Sequence, residues 1–471
     1  MTGPESTNAT VVVVGGGISG LVSAYKVRQA RPDATVVLID RSEKLGGKIS
    51  TSTFMGRQVD EGPDAFLTRV PWAIDLCDEL GILDEVISPS SGSAYVMSRG
   101  KLRRLPEGLV LGVPTRFWPL LKSGIVNPFG ALRTLFDLVR PTSWPDTPET
   151  VGGLSRRRLG NQVAERLVDP LIGAINAGDT DELDLHLVAP QLENAARQSR
   201  SLISGLKQQR KNLDPEVAAA PVFHSFPSGM SRLVSVLTDR LRDVEIRLAA
   251  TVEHVHPTQR GADVILGSGE IIRADSVILA TPAYVTAALL GKAAPEASAD
   301  LSGIEYASVA MVTLGFERAA IGHPLDGSGM LVPRPEGHLS TAVSWASTKW
   351  PHWADDGKAI LRVSAGRMGD DRFTELNDDE LVDTLSAEMA NFLDINGPVL
   401  EWRVTRWPRS FPQYGPGHAD LITRIEERLA HDAPGVFITG ASCRGLGIPA
   451  CVRQGGEAAE LALSRLTSAA K

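Results

Sequence analysis

The stretch TVVVVGGGISGLVSA, Thr10 to Ala24, restricts the possible folds of this chain more than any other. Val11 to Val14 carry no polar alternation, the pattern of a parallel strand buried on both faces. A parallel strand needs a crossover connection. The spacing of Ile18, Leu21, Val22 and Tyr25 predicts a helix, Pro32-Asp33 ends it, and TVVLID, Thr35 to Asp40, supplies the second strand. At the junction Gly15, Gly17 and Gly20 match G-x-G-x-x-G, with Gly16, Ile18 and Ser19 filling the turn. The first glycine lets the chain turn, the second admits a phosphate to the backbone, and the third lets helix and strand pack closely. Asp40 ends the second strand about twenty residues on, where a carboxylate accepts from ribose hydroxyls. The unit therefore predicts a dinucleotide pyrophosphate at a helix N-terminus, where free N–H groups and the dipole favour negative charge. A glycine-rich turn without a ligand is the plainer alternative, and strand, helix, second strand and acid together weigh against it.

At 471 residues the chain exceeds what one core organises, so two or three lobes are expected. A net charge of -8 argues against a general nucleic-acid surface. Cys77, Cys443 and Cys451 form no C-x-x-C pair, and the nine histidines show no metal spacing, so no metal is predicted. Few cysteines and no signal-like start in MTGPESTNAT fit a cytoplasmic protein, and no apolar run is long enough to span a bilayer. Leu109 to Pro141 is rich in apolar and aromatic residues, broken by prolines and edged with Arg and Lys. Three readings stay open for it: peripheral contact with a membrane, a cover over a greasy ligand, or helices packed on their own core.

After Asp40 and Arg41 come Gly46-Gly47-Lys48, and then an extended segment leading to Gly62-Pro63-Asp64. Near the other end, GVFITGASCRGLGIPACVRQGGEAAELALSRL reads as strand, loop and a helix opening near Pro449. Together these resemble the FAD-binding ends of the amine oxidase and protoporphyrinogen oxidase superfamily. RRRLGNQVAERLVDPLIGAINAGDTDELDL, VFHSFPSGMSRLVSVLTDRL, ADSVILATPA and GKLRRLP extend the likeness along nearly the whole chain. Within the superfamily they resemble the FAD-dependent porphyrinogen oxidases of heme biosynthesis, and GLGIPAC is most similar to the soluble bacterial branch that acts on coproporphyrinogen III. The family often has an acid where Ala450 stands, so the protoporphyrinogen branch stays open.

The resemblance implies an α/β fold: a Rossmann-like FAD lobe from residues 1–87, 222–290 and 415–471, a helical cap over 88–221, and an antiparallel-sheet substrate lobe over 291–414. It implies noncovalent FAD, with Val252, Thr281, Gly440, Gly447, Ile448 and Pro449 joining the N-terminal residues around it. It also implies a porphyrinogen substrate and oxygen as acceptor, and it leaves room for transient contact with a downstream heme-pathway enzyme. No second strand-linked G-x-G-x-x-G is present for a nicotinamide cofactor, which points to an oxidase. Losing six electrons, a porphyrinogen needs three rounds of flavin reduction, and the cofactor carries the hydride step, so no side chain is singled out as catalytic. Arg69, Arg99, Lys101, Arg103, Arg104 and Arg156 to Arg158 are candidate partners for the substrate carboxylates, because guanidinium grips carboxylate bidentately. Ala177 and Gly178 of the Ala-Gly-Asp turn, and Lys349 in STKWPHWA, are the further substrate-side candidates. An amine oxidase, a carotenoid desaturase and an inert FAD-binding module remain as rivals.

Overall fold

The computed structural model describes residues 9–139, 144, 147–214, 220–354 and 357–469. Met1 to Asn8 and the end of the Leu109–Pro141 stretch lie outside the described residues. The first strand, β1 (Thr10–Val14), runs through the turn into α1 (Ile18–Ala30), and β2 (Thr35–Ile39) returns beside it in parallel. Three more parallel strands complete the sheet, in the order Glu245–Arg247, β2, β1, Ser276–Leu279 and Val436–Ile438. The unbroken valine run has a direct cause. Val11 and Val13 enter one apolar cluster, with α1 and the C-terminal helix Ile448–Ala469. Val12 and Val14 enter the cluster on the opposite face, roofed by the antiparallel strands Val252–Pro257, Ala262–Leu266 and Ile271–Ala274.

Helix α1 and the C-terminal helix touch along their backbones. Ser23 Oγ donates to the Gly455 carbonyl at 2.8 Å and Ser19 Oγ to the Cys451 carbonyl at 3.1 Å. A Cβ on Gly455 would stand 2.5 Å from the Ser19 carbonyl oxygen, so this crossing requires glycine. The contact fixes the start of the last helix beside the start of the first, although the two lie over four hundred residues apart in the chain.

A second sheet has seven strands, ordered Glu401–Pro412, Tyr306–Glu317, Lys358–Ala365, Ser340–Trp345, Gly329–Leu331, Tyr95–Ser98 and Lys101–Arg104. All neighbours are antiparallel except Gly329–Leu331 with Tyr95–Ser98. The amphipathic helix Asp378–Leu393 covers one face, started by a capping box between Asn377 and Glu380. Helices between Val151 and Asn212 form a separate core with the Pro128–Leu138 region beside it.

Two segments depart from the lobe limits expected from sequence. The hairpin Tyr95–Arg104, expected within the helical cap, forms one edge of the seven-stranded sheet, because Val96 and Met97 alternate into two different cores. Residues 291–304, expected with the substrate sheet, instead pack Ala294, Ala297, Leu301 and Ile304 beneath the parallel sheet.

Candidate functional site

The glycines of the first turn divide into two kinds. A Cβ on Gly15 would meet the Ala280 carbonyl oxygen at 2.8 Å, and one on Gly20 would meet the Gly15 oxygen at 1.9 Å, so these two make the turn and the packing possible. A Cβ on Gly17 meets no protein atom within 4 Å, and the position lines a large cavity. Here the backbone is left bare beside open space at the start of α1. That is the cradle a pyrophosphate requires, and the residues present fit such a group.

Around this cradle Gly46 N–H donates to the Gly16 carbonyl at 2.8 Å, and Gly47 lies so near that its Cβ would stand 3.2 Å from Gly17 Cα. Asp40 accepts from Gly16 N–H at 2.5 Å and from Ser42 N–H at 2.7 Å, tying the glycine turn to the end of β2. It also lines the cavity, with Arg41, Ile18, Ser19 and Val252. Gly16 and Gly20, expected to touch cofactor, do not line the cavity and act behind it, because their peptides and packing hold the turn.

The cavity has a volume of about 1740 Å³ and runs between the two sheets. Its middle is bordered by Lys48, Gly62, Pro63, Asp64 and Thr281 and, from the C-terminal side, by Gly440, Gly447, Ile448 and Pro449. The last helix begins at Ile448, so its unpaired N–H groups belong to this wall. The Lys48 ammonium is not aimed solely at a ligand: it donates to the Ser410 carbonyl and so ties the glycine-rich segment to the seven-stranded sheet. Burial pulls its pKa below the ordinary lysine value.

Asp64 is the electrostatic centre of this region. Lys349 Nζ and Arg362 Nη1 each stand 3.1 Å from its carboxylate, and Trp350 Nε1 donates at 2.9 Å. Burial alone would raise the carboxyl, but Lys349 and Arg362 outweigh it and hold Asp64 well below the usual carboxylate range. Lys349 therefore lines the cavity as a paired cation. Its partner Arg362 was missed from sequence, though it stands out as the one charged residue inside the apolar strand run AILRVSA.

At the far end, Ala177 adopts the left-handed conformation with φ of 46°. Its carbonyl accepts from Met368 N–H at 2.7 Å, and the Gly178 carbonyl accepts from Arg334 Nη2 at 2.8 Å. Both residues line the cavity, as does Arg69. Arg99 and Arg103, expected as carboxylate anchors, do not, because backbone carbonyls hold them elsewhere. Arg99 bonds Ile125 O at 3.3 Å, and Arg103 bonds Ser98 O and Ser123 O, each at 3.4 Å. Arg104 bonds Ser93 and Asp326, and Lys101 is exposed. The run Arg156 to Arg158 is spent on ion pairs with Asp181, Glu165, Glu149 and Asp137 inside the helical region. No described residue of Leu109–Val139 lines the cavity, so the described part of this stretch does not form its wall.

The match to a family of known proteins extends over residues 18–463, and that family is described as flavin containing amine oxidoreductase. The chain belongs to this family. Among relatives of the flavin-containing oxidoreductases, a coproporphyrinogen III oxidase of Bacillus subtilis is 33% identical over 465 residues, covering 97% of this chain and 98% of its own. A coproporphyrinogen III oxidase of Mycobacterium leprae is 34% identical, covering 96% and 98%. A solved structure from Exiguobacterium sp. 255-15, named after protoporphyrinogen oxidase, superposes with a TM-score of 0.88 at 26% identity, over 98% of this chain and all of the other. This chain is accordingly a flavin-dependent oxidoreductase, and the glycine cradle and the last helix line the cavity expected of a flavin site.

Proposed function

We propose that the chain oxidises coproporphyrinogen III to coproporphyrin III in heme biosynthesis, with noncovalently held FAD and oxygen as the electron acceptor. The observation that carries this reading is the continuity of the cavity. Pockets for single small molecules reach about 1,000 Å³, whereas about 1740 Å³ is open here between the Gly17 cradle and the Ala177–Gly178 turn. That is room for a dinucleotide and a flat macrocycle together. When bound, FAD supplies a two-electron acceptor for hydride from a methylene bridge of the substrate, and three rounds complete the six-electron oxidation, with three oxygen molecules reduced to peroxide.

The chain's own residues bind, orient and shield. Gly17 leaves bare backbone that would hold the pyrophosphate, and Asp40 and Arg41, which line the same part of the cavity, would face the ribose. The N-terminus of the last helix, at Gly447 to Pro449, points positive dipole into the cavity, where it would stabilise negative charge on a reduced flavin. Lys349 and Arg362 neutralise Asp64, so the middle of the cavity presents no lone carboxylate to an electron-rich substrate. Noncovalent binding is supported by the state of the thiols. Of the three cysteines only Cys451 borders the cavity, and burial raises its pKa, which keeps it a poor nucleophile.

The test is initial-rate porphyrin fluorescence with coproporphyrinogen III and protoporphyrinogen IX, alongside oxygen uptake. Three oxygen molecules per coproporphyrin, with higher kcat/KM for coproporphyrinogen, is the expected result, and preference for protoporphyrinogen would transfer the chain to the branch after which its Exiguobacterium neighbour is named. Acid precipitation should release all FAD into the supernatant.

Peripheral membrane contact belongs to the same reading. Trp118, Phe129 and Phe136 are 66%, 81% and 60% exposed, with Arg116, Lys122 and Arg133 on the same helices or next to them. No described helix is long and apolar enough to cross a bilayer. Apolar side chains edged by cations suit the surface of an anionic membrane. Pelleting with phosphatidylglycerol vesicles, lost in a Trp118→Ser/Phe129→Ser/Phe136→Ser variant, is expected; equal recovery in the supernatant with and without vesicles would exclude it.

A further inference from the structure

The cavity wall contains several arginines, and most are already partnered. Arg362 is paired with Asp64 and bonded to the Gly62 carbonyl. Arg444 is chelated by Glu426, and Arg453 by Glu457 and the Arg444 carbonyl. Arg367 is different. Its side chain is 10% exposed, yet among the described residues its guanidinium makes a single hydrogen bond, a long one of 3.4 Å from Nη1 to the Val332 carbonyl.

The nearest carboxylate, Asp370, lies 3.8 Å from Nη2, beyond hydrogen-bond reach. It is already held by Arg372 through two bonds of 2.7 and 2.9 Å. Nε of Arg367 has no partner among the described residues, as is also true of Arg362 and Arg453 Nε, so what sets Arg367 apart is that its two Nη atoms make one long bond between them. A guanidinium has five N–H donors, and burying a cation without acceptors is costly. Burial, with Arg334 next to it, accordingly disfavours its charged form. An anion arriving from the cavity would supply what is missing.

Its position fits that role. Arg367 follows the strand Lys358–Ala365 after Gly366, whose φ of 91° turns the chain. Arg367 N–H and Asp370 N–H exchange bonds with each other's carbonyls at 3.1 and 2.9 Å, and Met368 N–H holds Ala177. The backbone is therefore fixed against the Ala177–Gly178 end of the cavity. Two acids stand nearby, but Asp169 and Asp179 face Arg334 Nε, at 3.6 and 3.9 Å, and Thr180 bonds Asp169 as well.

We infer that Arg367 is a specificity-determining residue that receives one substrate carboxylate, a propionate that coproporphyrinogen carries and protoporphyrinogen replaces with a vinyl group. The inference rests on the porphyrinogen reading above and adds a residue and a direction to it. Hydrogen bonds to charged groups contribute enough that their loss weakens binding roughly ten- to a hundredfold. Arg367→Gln is expected to raise KM for coproporphyrinogen by that factor with kcat little changed, and to move KM for protoporphyrinogen less than about threefold, since no carboxylate is lost there. Arg367→Lys keeps the charge without the fork, and should recover part of the loss. Binding of the product coproporphyrin III, followed by fluorescence quenching without turnover, should weaken in parallel, while flavin content and Tm of the Lys variant stay at wild-type values. Equal KM shifts for both substrates, or unchanged product affinity in both variants, overturn the anchor. If wild type prefers coproporphyrinogen and the variants keep that preference, the anchor alone fails; if wild type, fully loaded with flavin, oxidises neither porphyrinogen, the functional reading fails with it.

Discussion

The two ends of the cavity are built from different materials. At the Gly17 end the wall is backbone: bare peptides of the first turn, Gly46-Gly47 against them, and the first N–H groups of the last helix. At the Ala177 end it is side chains delivered by separate elements, with Arg367 from one strand end and Asp169 from a helix start, while Arg334, from a short turn, pairs with Asp169 from outside the wall. A peptide-lined site must spend glycines at fixed spacing, which leaves a trace in sequence. A side-chain site needs only one residue from each element, and the trace is lost among the surface charges.

The sharpest break in this comparison comes from two glycines three residues apart. Gly17→Val adds atoms only toward the cavity, because a Cβ there meets no protein atom. Purified Gly17→Val should fold, with wild-type far-UV circular dichroism, and be colourless, its flavin lost along with all activity. Gly20→Val, with its Cβ 1.9 Å from a carbonyl oxygen, should fail to accumulate as folded protein. A yellow, active Gly17→Val protein would show that the cradle holds nothing.

This division explains what was legible beforehand. The βαβ start, Asp40, the Gly46-Gly47 pair and the strand-loop-helix ending could be read because each obeys a local rule of turn, spacing or helix start. Arg99 and Arg103 lie away from the cavity, which nothing in GKLRRLP reports, because the carbonyls of Ile125 and Ser123 reach them through tertiary packing. Arg362 had a signal, a charge inside an apolar strand, whereas Arg367 in SAGRMGD looks like any loop arginine. The edge position of Tyr95–Arg104 depends on a partner strand over two hundred residues away, and local pattern does not report it.

Two acids near the middle, Asp64 in the cavity wall and Asp60 outside it, test how the side-chain part is balanced. Both are carboxylates withdrawn from water, but only Asp64 has cations in contact. Its lowered pKa contributes stability that is present at neutral pH and disappears only as pH falls below the ordinary carboxylate range. Asp64→Asn leaves Lys349 and Arg362 facing each other and should cost about 3 kcal/mol at pH 7. Asp60 behaves in the opposite sense: burial raises its pKa to about 6, against bonds from Thr51 and Met230 N–H, and its Oδ2 has no partner. The folded chain then holds a proton that the unfolded chain releases at about pH 4, so stability falls as pH rises from there to about 6 and stays lower above it. Asp60→Asn should match wild type near pH 4 and exceed its Tm at pH 7. Thermal melts of both variants across that range should therefore diverge from wild type in opposite directions, and parallel shifts would show that the two acids share one environment.

The smallest effect expected is the one that most sharpens the contrast between legible and illegible parts. Arg99 and Arg103 sit in the basic cluster that sequence reading favours as a carboxylate anchor, yet neither reaches the cavity. Arg99 also shares Glu336 with Arg166: the backbone N–H groups of Arg99 and Gly100 donate to its carboxylate at 3.0 and 3.1 Å, and Arg166 Nη1 at 2.7 Å. These bonds hold the turn of the edge hairpin, and the Arg99 contribution to them comes from its backbone, which survives substitution. Arg99→Gln and Arg103→Gln, singly or together, should therefore lose only side-chain bonds to carbonyls, costing about 1 kcal/mol each in stability, with KM for either porphyrinogen unchanged within about twofold. The measurement is KM for coproporphyrinogen in the double variant beside Arg367→Gln under identical conditions. A large KM rise in the double variant, with Arg367→Gln near wild type, would move the anionic end of the substrate to the edge hairpin and place the selective contacts outside the enclosed cavity.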